Sequence, residues 1–150
     1  MNADPAYIDT SALAKWYLPE PGSDAFVDFI RRQDSAAISR LTAVELRCLL
    51  ARRRRAGDIM VQHERDAWST FEADILAGHL HVEALSDWHA ITALHLLGQL
   101  QHLPLRTLDA FHLAIARSLA VGVVATADRV MARAAEALGM TAMMFSRGGA

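Results

Sequence analysis

Apolar runs typical of strands alternate with segments of helical periodicity along most of the chain. The apolar runs predict strands at residues 6–9, 36–39, 80–85, 122–125 and 140–145. Apolar residues spaced by three or four positions predict helices at residues 11–18, 41–56, 61–77, 86–100, 107–120 and 128–138, with a further helix that starts at residue 23. Strands that alternate with helices form a parallel sheet covered on both faces. The pattern therefore predicts an α/β fold with a central, mostly parallel sheet.

Residues that favour turns and helix ends separate these elements. The segment 19–22, Pro-Glu-Pro-Gly, stops the first helix, and Gly57 suits the C-terminal cap of the helix at 41–56. Ser11 is placed to cap the first helix, because its hydroxyl can accept a hydrogen bond from a free backbone N–H. The long helix at 41–56 and the following one at 61–77 are expected to pack as an antiparallel hairpin.

The composition is that of a single globular domain. The 150 residues are 53% hydrophobic and 21% charged, which fits one domain spanning residues 1–150. Cys48 is the only cysteine, so an intrachain disulfide and a thiolate metal cluster are excluded, and a reducing, cytoplasmic setting is expected. The most apolar stretch, residues 110–127, is interrupted by His112 and Arg117 and predicts a helix and a strand, not a membrane span.

Four carboxylates interrupt apolar segments near the ends of predicted elements. Asp9 closes the first strand and Asp128 follows the fourth, while Glu45 and Asp109 lie in the early turns of two helices. Ligands bind at the carboxyl edge of open parallel sheets, and carboxylates that converge there repel one another unless a cation offsets their charge. Convergent carboxylates therefore predict a site for Mg²⁺ or Mn²⁺, which can activate water and stabilise charge on a phosphoryl oxygen.

Three of the four acids also have a structural explanation. Residues 42–45 have the sequence of a helix capping box, and Asp109 is favoured near a helix N-terminus by the helix dipole. Asp128 is placed to cap the helix that follows it. Asp9 is the acid least well explained by such roles. The functional interpretation therefore depends on the joint pattern of all four acids.

The four acids lie within four characteristic segments, which are Ile-Asp-Thr-Ser-Ala-Leu at 8–13, Thr-Ala-Val-Glu-Leu at 42–46, Leu-Arg-Thr-Leu-Asp-Ala-Phe-His-Leu-Ala at 105–114 and Ala-Thr-Ala-Asp at 125–128. Together these segments resemble the PIN-domain nucleases, and specifically the VapC-type toxins of bacterial toxin–antitoxin pairs. Their order and spacing agree with the family, and the match spans nearly the whole chain. The resemblance implies a PIN-like three-layer α/β/α fold with a central, mostly parallel sheet and a protruding helical hairpin.

The resemblance also implies an activity and a site. The implied activity is that of a Mg²⁺- or Mn²⁺-dependent endoribonuclease, in which metal-activated water attacks an RNA phosphodiester in line. The implied acidic pocket consists of Asp9, Glu45, Asp109 and Asp128, with Ser11 and Thr126 assisting nearby. Asp9 and Asp109 are expected to contact the metal directly, whereas the contribution of the last acid varies within the family. The expected partners are the RNA substrate, a cognate antitoxin and a second copy of the chain.

Several arginines are candidates for contacts with RNA or with the antitoxin. The four consecutive arginines at 52–55 wrap most of a helix, so a solvated helix end, RNA contact and antitoxin docking all remain open for them. Arg40, Arg47 and Arg106 are nearer in sequence to the acids and are the better candidates for phosphate contacts.

His112 follows Asp109 by one helical turn. We expect it to be buried or to lie behind the acids, because the acids already satisfy a metal that prefers oxygen ligands. Cys48 follows Glu45 by one turn and is expected to be a packing residue.

Two other functions are consistent with parts of this pattern. A haloacid-dehalogenase-like phosphatase also begins with a strand that ends in aspartate, but it requires a second acid two residues later, where Ser11 stands. A catalytically silent PIN-like module that only binds a partner is the other alternative. The sequence contains no nucleophile elbow, glycine-rich phosphate loop or dinucleotide-binding fingerprint, so serine hydrolases, P-loop enzymes and Rossmann oxidoreductases lack support.

Overall fold

The computed structural model describes residues 5–145, which form five strands and seven helices. The strands are β1 (Ala6–Ile8), β2 (Ala36–Ser39), β3 (Leu80–Glu83), β4 (Val123–Thr126) and β5 (Thr141–Met144). The helices are α1 (Thr10–Tyr17), α2 (Ser23–Arg31), α3 (Arg40–Arg55), α4 (Val61–Leu76), α5 (Asp87–Gln99), α6 (Thr107–Ser118) and α7 (Arg129–Ala137). The elements follow in the predicted order, and only their ends differ. The predicted single domain of residues 1–150 extends at both ends beyond the described residues.

All neighbouring strands of the sheet are parallel, in the order β3-β2-β1-β4-β5. The central strand β1 pairs with β2 on one side, where Tyr7 is opposite Ala37, and with β4 on the other, where Tyr7 is opposite Val124. The predicted parallel sheet is confirmed. Because β1 and β4 run in the same direction side by side, the residues that follow them meet at one edge of the sheet.

Two hydrophobic cores lie on opposite faces of this sheet. Ile8 belongs to the core covered by α1–α4, whereas Tyr7 belongs to the core covered by α5–α7. Successive residues of a strand point to opposite faces, so the pair Tyr7-Ile8 supplies one side chain to each core. Both are fully buried. This arrangement confirms the predicted three layers of helix, sheet and helix.

Helices α3 and α4 form the predicted helical hairpin. Leu46 of α3 and Phe71 of α4 are fully buried in the same core. The Glu64 carboxylate of α4 accepts hydrogen bonds from Arg47 and Arg54 of α3. Apolar packing and ion pairs together fix α3, the helix that carries one of the four acids. Among residues 5–145, no helix is long and apolar enough to cross a membrane.

Two predicted helix starts are wrong in a way that matters for the site. Helix α1 begins at Thr10, so Ser11 lies inside the helix and does not cap it. Helix α3 begins directly after β2, where Ser39 and Thr42 form a reciprocal capping box. Thr42 therefore occupies the third helical position and not the N-cap, and the Glu45 side chain takes no part in the capping box. The Glu45 carboxylate is left for other partners.

Candidate active site

The four predicted acids line one cavity of about 760 Å³ at the carboxyl edge of the sheet. Asp9 follows β1, Asp128 follows β4, Glu45 lies on α3 and Asp109 lies in the first turn of α6. Ser11 also lines the cavity, whereas Thr126 is fully buried beneath it. The structure thus brings together residues that are as much as 119 positions apart, Asp9 and Asp128. Their catalytic roles stay a prediction.

Asp9 is held by two hydroxyl groups. Its backbone N–H donates to the Ala125 carbonyl at 2.9 Å, which continues the β1–β4 ladder by one residue. Its Oδ2 accepts hydrogen bonds from Ser11 Oγ and Thr126 Oγ1, both at 2.8 Å. Hydrogen bonds to an ionised carboxylate are stronger than those between neutral groups. The Asp9 carboxylate is therefore fixed in orientation at the floor of the cavity.

The hydroxyl groups of Ser11 and Thr126 each donate one hydrogen bond and accept another. Ser11 Oγ donates to Asp9 and accepts from the Ala127 backbone N–H at 2.9 Å. Thr126 Oγ1 donates to Asp9 and accepts from the Asp128 backbone N–H at 3.0 Å. Each hydroxyl therefore joins the turn after β1 to the turn after β4. This geometry makes Ser11 and Thr126 positioning residues for Asp9.

Glu45 is anchored through one carboxylate oxygen. Its Oε1 accepts from Thr10 Oγ1 at 2.9 Å and from His112 Nε2. Burial by itself would raise the pKa of Glu45, but the hydrogen bond and charge of His112, together with the Thr10 hydroxyl, hold that pKa below its usual value. Glu45 therefore stays ionised, with Oε1 committed to its two donors.

His112 lies directly behind the acids, as predicted, and is only 2% exposed. The Tyr7 hydroxyl donates to Ser39 Oγ at 2.9 Å, so its oxygen accepts from His112 Nδ1, which lies 2.7 Å away. Burial lowers the pKa of His112, but the Glu45 hydrogen bond and the negative charges of Asp9 and Glu45 outweigh it, and the pKa is raised. Both ring nitrogens are thus occupied by hydrogen-bond partners, and the raised pKa favours the imidazolium, so neither nitrogen is left for a metal.

Asp109 and Asp128 share one cation, Arg106. Asp109 Oδ2 accepts from the Arg106 backbone N–H at 3.2 Å and lies 3.6 Å from Arg106 Nε. Asp128 Oδ2 lies 3.5 Å from Arg106 Nη2. Burial and the charge of Asp128 raise the pKa of Asp109, although Arg106 opposes that rise. Arg106 was a predicted phosphate contact, and the structure places it at the cavity with two carboxylate partners.

Asp128 also fulfils its structural role. Its Oδ1 accepts from the backbone N–H groups of Val130 and Met131 at 2.8 and 3.1 Å, which caps α7. The other oxygen, Oδ2, faces Arg106. Capping therefore uses one carboxylate oxygen of Asp128, and the other oxygen is left at the cavity for the predicted role.

The donor set suits a divalent cation. The cavity presents carboxylate oxygens, which Mg²⁺ and Mn²⁺ prefer. Two cations, His112 and Arg106, pair with these acids, and Arg52 also lines the cavity, so four acids still outnumber three cations. Within residues 5–145, however, no three acidic, histidine or cysteine side chains already stand in an arrangement that holds a metal ion. Mg²⁺ is usually bound through one or two carboxylates and several waters, so a group of three protein ligands is not required.

Of the other predicted basic residues, only one lines the cavity. Arg52 lines the cavity. Arg53 pairs with Glu20 at 3.0 Å. Arg54 pairs with Glu64, as does Arg47, so Arg47 is engaged in the hairpin and is not brought to the acids. Within the run at 52–55, Arg52 is thus at the cavity, whereas Arg53 and Arg54 form ion pairs that hold the fold.

Sequence reasoning missed part of the cavity wall. Cys48 is exposed and lines the cavity, so its expected role in packing is wrong. Cys48 follows Glu45 by one helical turn and so lies on the same helix face, which indicates from sequence alone that it faces the same cavity. The apolar rim was also missed: Val44 and Leu108, each beside a predicted acid in sequence, are 57% and 44% exposed.

Comparison with known proteins assigns the family. Residues 6–137 match the model of the PIN domain. The chain is 35% identical over 140 residues to Ribonuclease VapC46 of Mycobacterium tuberculosis, covering 89% of this chain and 92% of that protein. Two solved structures share the fold. VapC20 of Mycobacterium tuberculosis, a toxin that cleaves the sarcin–ricin loop, superposes with a TM-score of 0.69 at 18% identity, covering 95% of this chain and 99% of that one.

The second structure is VapBC2 of Rickettsia felis bound to a DNA fragment from its promoter. Its TM-score is 0.64 at 11% identity, with 94% of this chain and 98% of that chain covered. At these identities the structures show the fold alone, whereas the family model and the ribonuclease relative cover most of the sequence. The chain belongs to the PIN-domain family and is of the VapC type.

Proposed function

We propose that this protein is a divalent-metal-dependent endoribonuclease and the toxin of a toxin–antitoxin pair. The observation that carries the proposal is the convergence of Asp9, Glu45, Asp109 and Asp128, from four separate elements, on one cavity with an excess of negative charge. The 35% identity to a VapC ribonuclease supports RNA as the substrate. A cytoplasmic location goes with that substrate and stays a prediction.

Mg²⁺ or Mn²⁺ would be held chiefly by Asp9 and Asp109, with Glu45 and Asp128 completing the acidic pocket. When bound, such an ion supplies positive charge for the phosphoryl oxygens and acidifies water. Ser11 and Thr126 keep Asp9 in one orientation through their two hydrogen bonds.

Glu45 is the acid best placed to orient the attacking water. Its Oε1 is fixed by Thr10 and His112, so the rest of the carboxylate is oriented without further cost in side-chain entropy. Its lowered pKa keeps it ionised and able to accept a hydrogen bond from water. In-line attack on the phosphodiester then depends on residues whose orientation is set before the substrate arrives.

The direct test compares cleavage by wild type with that by Asp9→Asn and Asp109→Asn. Purified proteins are incubated with total cellular RNA and Mg²⁺ or Mn²⁺, and the new RNA ends are sequenced. Asp66→Asn is the matched control, because Asp66 is an exposed acid on α4 outside the cavity. We expect specific new ends with wild type and the control only. Full cleavage by folded Asp109→Asn would refute the assignment.

The two alternatives give different results. A silent binding module would show the same metal titration for wild type and Asp9→Ala, whereas the proposed site predicts weaker binding in the variant. The phosphatase alternative needs an acid where Ser11 donates to Asp9, and the match to the PIN domain over residues 6–137 gives it no support.

The proposed partners are an antitoxin and a second copy of the chain. The apolar rim formed by Val44 and Leu108 beside the acids suits an antitoxin segment that covers the cavity. Helix α5 buries one face, yet Trp88 and Leu94 on its other side are 66% and 70% exposed. Exposed apolar side chains of this size often mark an interaction surface, and a homodimer contact along α5 would cover them.

A further inference from the structure

Arg106 differs from every other cation at the cavity in how it is held. It stands at the N-cap position of α6, and its side chain is 79% exposed. The guanidinium lies between Asp109 and Asp128, with its closest approaches at 3.6 and 3.5 Å. These are ion-pair distances and are longer than those of good hydrogen bonds.

We propose that Arg106 is an exchangeable counter-ion: its guanidinium pairs with Asp109 and Asp128 before a divalent ion binds and is displaced from both carboxylates when the ion enters. The proposal rests on the proposed metal-dependent function and adds a step of regulation to the same site. Metal entry and guanidinium release are then one event, because both cations use the same carboxylate oxygens.

The strengths of the contacts favour this exchange. Exposed ion pairs contribute little to stability, because water and salt screen them. A divalent ion carries twice the charge of a guanidinium and prefers carboxylate oxygens. Arg106 is therefore a weak competitor that a metal can displace.

The carboxylates stay in place when the guanidinium leaves. Asp109 remains bound to the Arg106 backbone N–H, which does not depend on the arginine side chain. Asp128 remains bound to the N–H groups of Val130 and Met131 through Oδ1. Exchange thus moves one exposed side chain and leaves the starts of α6 and α7 unchanged.

His112 shows what a permanent counter-ion looks like in the same site. It is 2% exposed, and both of its nitrogens are used by Tyr7 and Glu45. Arg106, in contrast, is exposed and approaches its two acids only at ion-pair distances of 3.6 and 3.5 Å. Of the two cations paired with the acids, only Arg106 can leave without breaking the core.

Metal affinity in the absence of RNA gives the first test. Mn²⁺ is titrated calorimetrically into wild type, Arg106→Gln and the control Arg52→Gln. Arg52 also lines the cavity but makes no ion pair with an acid in the described part of the chain. We expect Arg106→Gln to bind Mn²⁺ about two- to tenfold more tightly than wild type, since up to two exposed ion pairs no longer compete.

The outcomes separate this proposal from the proposed function. Equal or weaker binding by Arg106→Gln, or an equal gain in Arg52→Gln, overturns the exchange while leaving a metal enzyme. Absence of Mn²⁺ binding by folded wild type overturns the metal-dependent function itself. Thermal unfolding of each variant verifies that the compared proteins are folded.

Guanidinium resonances give a second test that does not depend on affinity. In ¹H–¹⁵N spectra, the Nε–H signal of Arg106 is assigned by its absence in Arg106→Gln. Arg54 provides an internal control, because its Nε pairs with Glu64 in the hairpin. Diamagnetic Mg²⁺ should shift or broaden the Arg106 signal and leave the Arg54 signal in place. An unmoved Arg106 signal at saturating Mg²⁺ overturns the proposal.

Discussion

Replacing the buried His112 with phenylalanine should destabilise the protein, chiefly at acidic and neutral pH. The ring is kept, but two donated hydrogen bonds are lost, one to the Glu45 carboxylate and one to the Tyr7 hydroxyl. Because the imidazolium is charged, each of the two bonds is a hydrogen bond to a charged group, which contributes about 1.5–3 kcal/mol. The free energy of unfolding near pH 6 should therefore fall by about 3–6 kcal/mol.

The sign of the pH dependence follows from the raised pKa of His112. Burial opposes that rise, but the hydrogen bond to Glu45 and the charges of Asp9, Glu45 and Asp109 outweigh it. The stabilisation is complete below the unfolded value of about 6.5 and is lost as pH rises through the higher folded pKa. The difference between wild type and His112→Phe should therefore shrink toward alkaline pH.

Urea unfolding followed by circular dichroism, in EDTA and from pH 5.5 to 9.5, measures this difference. His89→Phe is the matched control, because His89 is also buried and makes hydrogen bonds to Ser86 and Ser118, with no acid partner among residues 5–145. It should keep the pH dependence of wild type, since the His112 pairs are intact. A cost of His112→Phe that is independent of pH would refute the imidazolium, and no cost at all would refute the network.

Three further predictions concern the site and its assembly. Thr126→Val removes a donor to Asp9 and the acceptor of the Asp128 N–H, so RNA cleavage should fall about 10- to 100-fold in a folded protein; unchanged initial rates would contradict this positioning role. Chelation with EDTA should abolish cleavage and added Mn²⁺ should restore it, whereas cleavage that persists in EDTA would exclude metal dependence. Leu94→Glu should convert a dimer to a monomer in sedimentation velocity, and a variant that still sediments as a dimer would exclude α5 as the contact.

The order and type of the elements were predictable because apolar periodicity reports directly which side chains face a core. Tyr7-Ile8 and the positions of Leu46 and Phe71 carried that signal, and all four are buried. Helix starts were less predictable, because a capping hydroxyl at Ser39 competes with another at Thr42 only three residues later. The residue at which β2 ends determines which of the two hydroxyl groups caps α3. That end depends on the pairing of β2 with β1 and β3.

The acids of the site were predictable, but their partners were not. Asp9, Glu45 and Asp109 each interrupt an apolar pattern, which sequence alone reveals. The chain of bonds from Tyr7 through His112 to Glu45 joins residues on three elements, and no local pattern encodes it. The same holds for the contact between Arg106 and Asp128, which depends on how α6 packs beside the end of β4.

Strand order explains why Asp9 is central to the cavity. The chain leaves the carboxyl end of β1 through α1 and α2 to reach β2 on one side, whereas it leaves the carboxyl end of β4, on the other side of β1, through α7 to reach β5. Because the connecting helices cover opposite faces, a crevice opens at the carboxyl ends of β1 and β4. Asp9 stands at the end of β1, with Thr126 at the end of β4 bonded to it at 2.8 Å. Any substitution that loosens this pair should therefore disturb the site more than an equal change at β3 or β5, which lie at the sheet edges.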